Sequence, residues 1–159
     1  MDIRDYGKTQ ICLRLYSSKA DGTKFVALKS GLNQWNAGGR ARHPDEVYIP
    51  YPAEDRKRTP GFFPGRDEIF RLKLPNGRIV DAKVCQQDCK AVMSNPNKLL
   101  GEWLLREVFG LADWTLLTYD MLVAHGNDCL IFTKHGEGKY SVELGNCGTY
   151  ESFYAQTHR

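Results

Sequence analysis

Lys29–Pro52, KSGLNQWNAGGRARHPDEVYIPYP, changes character half-way, from a polar arm rich in Asn, Gln, Arg and Gly to an apolar run that predicts a strand over Val47–Tyr51. The arm has the chemistry of a base reader. Asn and Gln each carry a donor and an acceptor and pair bidentately with adenine, Arg does the same with guanine, and glycines let the backbone approach closely. Asn33, Gln34 and Asn36 suit base edges, and Arg40 and Arg42 suit guanine or phosphate. Lys29 and Ser30 open the arm. Trp35 either stacks on a sugar or base or packs beside the strand, and packing is the commoner fate. Asp45 and Glu46 would repel phosphate; they orient neighbouring arginines, accept from cytosine, or are plain surface acids that need no explanation.

A second polar stretch, Gln86–Lys98 (QQDCKAVMSNPNK), repeats this character after another apolar run. Gln86, Gln87, Asp88 and Lys90 are its densest part: Gln pairs with adenine, Asp accepts from cytosine, Lys donates to guanine. Two polar arms on one scaffold suggest a clamp. Charge agrees with this: residues 112–159 hold three bases and six acids, net −3, which leaves +6 on residues 1–111, where both arms lie. Lys29–Arg42 contains three bases and no acid, and Arg56-Lys57-Arg58 follows. Such a surface suits phosphates.

The chain of 159 residues, 42% apolar and 26% charged, is sized for one globular domain, residues 1–159, that builds a core without disulfides or metals. No apolar run approaches the ~20 residues of a membrane span, and MDIRDYGK is too charged for a signal peptide. Five unpatterned cysteines fit a reducing compartment, so a cytoplasmic setting is expected, and the resemblance described below implies a bacterial one.

Gln10–Ser17 alternates Ile11, Leu13 and Leu15 against Cys12, Arg14 and Tyr16, predicting a strand with one buried face. A turn at Ala20-Asp21-Gly22 leads back through Phe25–Leu28. Glu54–Arg58 reads as a short helix stopped by Pro60-Gly61. Ile69–Leu74 and Arg78–Cys85 form a hairpin about Pro75-Asn76-Gly77, an Asn-Gly turn signal. Asn95 as cap and Pro96 in the first turn predict a helix whose Leu99, Leu100, Trp103, Leu104 and Val108 belong to the core, ending at Gly110. Trp114–Thr118, Asp128–Thr133 and Lys139–Leu144 complete the strands, with a short helix around Tyr119–Val123. The total predicts an all-β fold with two short helices, closed as a barrel.

The runs SGLNQWNAGGRARHPDEVYIPYP, TPGFFPGRDEIFRL, NGRIVDAKVCQQDCKAV and NKLLGEWLLREVFGL resemble the DNA-recognition domain of restriction endonucleases of the BfiI and NgoAVII kind, over about residues 10–145. The resemblance implies a seven-stranded B3-like DNA-binding pseudobarrel that grips the major groove with an N-arm and a C-arm. Lys29–Arg42 would be the N-arm and Gln86–Ser94 the C-arm, with Asn95, Asn97 and Lys98 near phosphates. The implied partner is double-stranded DNA carrying a short specific site. The implied role is target recognition for a type II restriction endonuclease, with no catalytic residue, cofactor or metal in this chain. Cleavage would belong to a phospholipase-D-type nuclease domain outside it. That nuclease's H-x-K signature does not occur: His43, His125 and His135 are followed two positions later by Asp45, Asn127 and Glu137, and His158 lies next to the last residue.

Two rival sites are written in the sequence. Pro44-Asp45 with Asp81-Ala82-Lys83 matches a Mg²⁺-dependent PD-DxK nuclease, in which Asp45 and Asp81 hold the metal and Lys83 assists water. Cys85, Cys89, His125 and Cys129 form a permissible zinc set, although the spacing is not that of a zinc knuckle.

Overall fold

The computed structural model of the protein describes residues 9–85 and 90–157. Its strands are β1 Gln10–Arg14, β2 Ser17–Ser18, β3 Lys24–Phe25, β4 Ile49–Pro50, β5 Phe70–Lys73, β6 Ile79–Cys85, β7 Ala91–Ser94, β8 Asn127–Gly136 and β9 Lys139–Asn146. Among the described residues, seven of these make one sheet in the order β1-β8-β9-β5-β6-β7-β4, while β2 and β3 pair separately as a small hairpin. Every neighbouring pair in the large sheet is antiparallel except β5 with β9. The outer strands β1 and β4 come round to lie against one another, so the sheet is a nearly closed barrel. This is the seven-stranded architecture expected from the sequence, with a few short helices where two were expected: α1 Ala53–Arg58, α2 Lys98–Gly101, α3 Tyr119–His125 and α4 Thr149–Thr157.

Alternation builds the barrel. In β5 the pattern of Phe70 and Leu72 against Arg71 and Lys73 is buried-exposed, and Val80, Ala82 and Val84 repeat it in β6. The TPGFFPG segment supplies the plug: Phe62 and Phe63 enter the barrel, Phe63 stacking on Phe70 and the pair meeting Phe132 and Tyr140 edge-on or tilted, with ring centroids 5.4–5.5 Å apart. Tyr140 donates its hydroxyl to the Phe62 carbonyl, and burial pushes that phenol up to about 12. Each such ring fully buried contributes about 1.5–3 kcal/mol.

Four local expectations are revised. Along Gln10–Ser17, Cys12 and Tyr16 are buried together with Ile11 and Leu13 because α4 lies over that face; Arg14 sits 4.8 Å from the Tyr150 ring and Tyr16 donates to Glu151 at 2.9 Å. The sequence beyond Gly145 gave no hint of α4. Trp114–Thr118 is not a strand: the backbone turns at Trp114 (φ 64°), and the N–H and C=O of Leu117 bond to the Asn33 side chain instead of a neighbouring strand. Ala91–Ser94, read as part of the second arm, is strand β7 paired to both β6 and β4, so the arm is shorter than expected. Finally, Asn95 does not cap the following helix. It begins at Lys98, and Ser94 Oγ accepts from Leu100 N at 2.8 Å while donating to Pro96 O.

The helix stripe itself is core, as expected. From α2 the helix continues as a wider π-type segment over Glu102–Val108, and Leu100, Trp103, Leu104 and Leu105 are all buried. The π widening brings Leu105 inward along with the expected stripe.

Candidate DNA interface

The first arm is anchored by its own side chains. Gly31–Asn36 forms a 3₁₀ turn interrupted at Asn33 (φ −108°, ψ 28°), and Leu32 drops into the core. Asn33 is fully buried. Its Nδ2 donates to Ala27 O at 2.9 Å and Leu117 O at 3.0 Å, and its Oδ1 accepts from Leu117 N at 2.9 Å. An amide so used has nothing to offer a base, so the expectation for Asn33 is corrected: it ties the arm to the barrel. Trp35 likewise packs, meeting Trp114 edge-on at 5.8 Å with its Nε1 buried. Asn36 is half-buried and donates to Leu28 O at 2.9 Å.

The arm's arginines converge on one carboxylate. Glu46, 2% exposed, accepts from Arg40 at 2.9 Å and from Arg42 at 2.5 Å. Arg42 also donates to the carbonyls of Ala37 and Gly38, and its side chain is largely covered, so its guanidinium braces the loop. Arg40 remains half-exposed, with room to meet an anion. Asp45 engages Arg106 at 2.7 Å, and Arg106 also bonds the carbonyls of Pro44, Leu111 and Ala112. The two acids therefore orient arginines. The loop they occupy is pressed on the helix so closely that a Cβ at Gly101 would sit 1.8 Å from Asp45 O.

Of the second arm, Gln86, Gln87 and Asp88 lie outside the described residues, but its frame is visible. Cys85 pairs with Ala91 across it, and Lys90, exposed, accepts from Tyr51 N through its carbonyl at 2.7 Å. Asn95 is exposed, and Asn97 and Lys98 are half-buried just beyond β7. The first arm leads into β4, the second lies between β6 and β7, and β4 pairs with β7. Because that pairing is antiparallel, residues just before β4 and residues just before β7 leave the pair at opposite ends. The start of the first arm folds back: a Cβ on Gly31 would touch the Pro50 ring at 3.5 Å, which brings exposed Lys29 and Ser30 beside β4.

Two further exposed basic elements lie near β1 and β4. Helix α1 follows Tyr51 directly. Of its basic run, Arg58 is held by buried Asp55 and Arg56 bonds Tyr51 O, while Lys57 is exposed. Burial pushes the Asp55 carboxyl above the usual carboxylate range, against the pull of Tyr150 and Arg58. Across the Arg14–Glu54 ion pair (3.5 Å) lies the β2–β3 hairpin, whose tip, Lys19–Thr23, is exposed. Sequence reading treated this tip only as a turn; its lysine beside an Asp-Gly turn was the available signal.

The rival sites do not assemble. Asp45 serves Arg106, Asp81 lies 3.6 Å from Arg71, and Lys83 lies 3.5 Å from Asp67, three separate ion pairs. Among the described residues no three His, Cys, Asp or Glu side chains stand close enough to hold a metal ion. Cys89 of the zinc set lies outside those residues. Also among them, no helix is long and apolar enough to cross a membrane.

The sequence profile of the NgoFVII C-terminal B3-like DNA-binding domain matches residues 6–136. The chain belongs to that family. A B3-like domain of this kind is a DNA-binding domain, and DNA is its partner. The match ends with β8; β9, which follows it, pairs with β8 and β5 in the barrel, and α4 packs on β1. No curated protein matches the chain.

Proposed function

We propose that this B3-like domain reads a short double-stranded sequence through the major groove and serves as the target-recognition part of a restriction endonuclease. Cleavage is then performed by a nuclease domain or subunit outside the chain, and residues 1–159 act as one recognition unit. The observation that supports the reading is the first arm, braced internally by Asn33 and Glu46 where it leads into β4 of a DNA-binding barrel, on the strand that pairs with β7. Bracing matters because a reader held in place loses less entropy when it binds.

On this reading Lys29, Ser30, Gln34, Asn36 and Arg40 of the first arm and Gln86, Gln87, Asp88 and Lys90 of the second approach bases. Asn95, Asn97, Lys98, Lys57 and the tip lysine Lys19 face phosphates. Selection from a pool of randomised duplexes tests it: an enriched motif is expected, and a pool that stays random after repeated rounds refutes sequence reading while leaving DNA binding itself intact.

A further inference from the structure

The outer face of the sheet carries a second basic surface on β5 and β9. Between β5, β6 and β9 lies a groove of about 490 Å³ lined by Arg71, Lys73, Ile79, His135, Lys139 and Tyr140. No acid lines it. The nearest, Asp81, stands 3.6 Å from Arg71, with both side chains largely exposed; Glu143 lies two residues past Ser141 on β9, and Glu137 is in the hairpin turn. Lys73 and Lys139 have no carboxylate partner among the described residues.

The register makes this placement costly for the isolated fold. Arg71 and Lys139 are direct partners across the β5–β9 pair, and like charges facing each other on adjacent strands are destabilising. Lys73 follows on the same face two residues along β5, about 7 Å from Arg71. Along the duplex axis each strand presents one phosphate per roughly 3.4 Å, so an interval of about 7 Å between cations lies within the repeat of a phosphate backbone. An anion with regularly spaced charges relieves the repulsion and fits the spacing.

We propose that this groove holds the phosphodiester backbone of DNA flanking the sequence read by the arms. It rests on the reading above, that the arms engage DNA. From Cys85, where β6 leads into the second arm in sequence, to Ile79 is the length of β6, about 20 Å, less than one turn of duplex, roughly 34 Å. The contact is thus with the same duplex, beyond the read site, and carries no base information.

The test compares the full chain with the triple variant Arg71→Gln, Lys73→Gln, Lys139→Gln on two duplexes sharing one site. One is limited to about one helical turn, roughly 10 base pairs, and the other spans about four turns. Three lost phosphate contacts should flatten the slope of log affinity against log salt by about 2.7 on the long duplex and leave the short one unchanged. Equal weakening on both lengths would overturn the flanking assignment, since it reports only the lower net charge. Unchanged binding on both would overturn the proposal as well and leave the groove to an acidic protein segment. Failure of the underlying reading shows separately, as a wild-type chain that prefers no sequence on either duplex.

Discussion

Asn33→Ala separates scaffold from reader within the first arm. The substitution removes three hydrogen bonds and strands two fully buried partners, the N–H and C=O of Leu117, while half-buried Ala27 O can turn to water. A buried polar group left unsatisfied costs about 1–3 kcal/mol, so the pair amounts to roughly 2–6 kcal/mol, with about 4 as the central figure. For a domain of this size each kcal/mol lowers Tm by about 2–4 °C, giving a drop of roughly 8–16 °C. Thermal and urea unfolding followed by circular dichroism measure it, with Arg40→Ala as the companion. Arg40 is half-exposed, so its loss should leave stability within about 0.5 kcal/mol and weaken DNA binding. The reasoning is refuted if Asn33→Ala unfolds like wild type, and more so if it keeps its stability yet relaxes base preference at one position, because the amide would then be reading DNA.

Gly101→Ala should destabilise by roughly 3 kcal/mol, since its Cβ would fall 1.8 Å from the Asp45 carbonyl and neither backbone can yield cheaply; calorimetry checks it, and a wild-type Tm refutes the close packing. Gln87→Ala should lose about 1–3 kcal/mol of discrimination at a single base pair while other positions keep theirs, read from binding to single-substitution duplexes. The Glu151 carboxyl is pushed up by partial burial but pulled further down by hydrogen bonds from Lys24 and Tyr16, so it sits below its ordinary value in the fold. A carboxyl lowered in this way stabilises the fold above its unfolded pKa and loses that contribution as pH falls through the folded one. The Tm gap between wild type and Glu151→Gln should therefore be widest near neutrality and close as pH drops below the ordinary glutamate range.

What was legible in the sequence followed period and turn chemistry. The Phe70–Leu74 and Val80–Val84 alternation and the Asn-Gly turn fixed β5 and β6, and the Leu100–Leu104 stripe was core. Trp114–Thr118 failed because its apolar content was real but its backbone partners were a distant asparagine side chain, which period cannot reveal. Helix α4 failed for a related reason: it is held by Tyr150 and Phe153 against β1 and α1, whereas its surface composition is polar. The arms were visible as composition. Which of their polar groups point outward was not, because Asn33 and Gln34, or Arg40 and Arg42, differ only in what the fold puts beside them.

The seam between β1 and β8 joins Gln10 to Thr133, residues 123 apart in sequence. At a ribosomal rate of about 5–20 residues per second, the first strand waits roughly 6–25 s for its partner to be made. During that interval Ile11, Leu13 and Leu15 have no sheet to join, and the barrel cannot close by zipping from its beginning. Nascent chains stalled before Asn127 should therefore recruit hydrophobic-segment chaperones, and chains released past Asn146 should not.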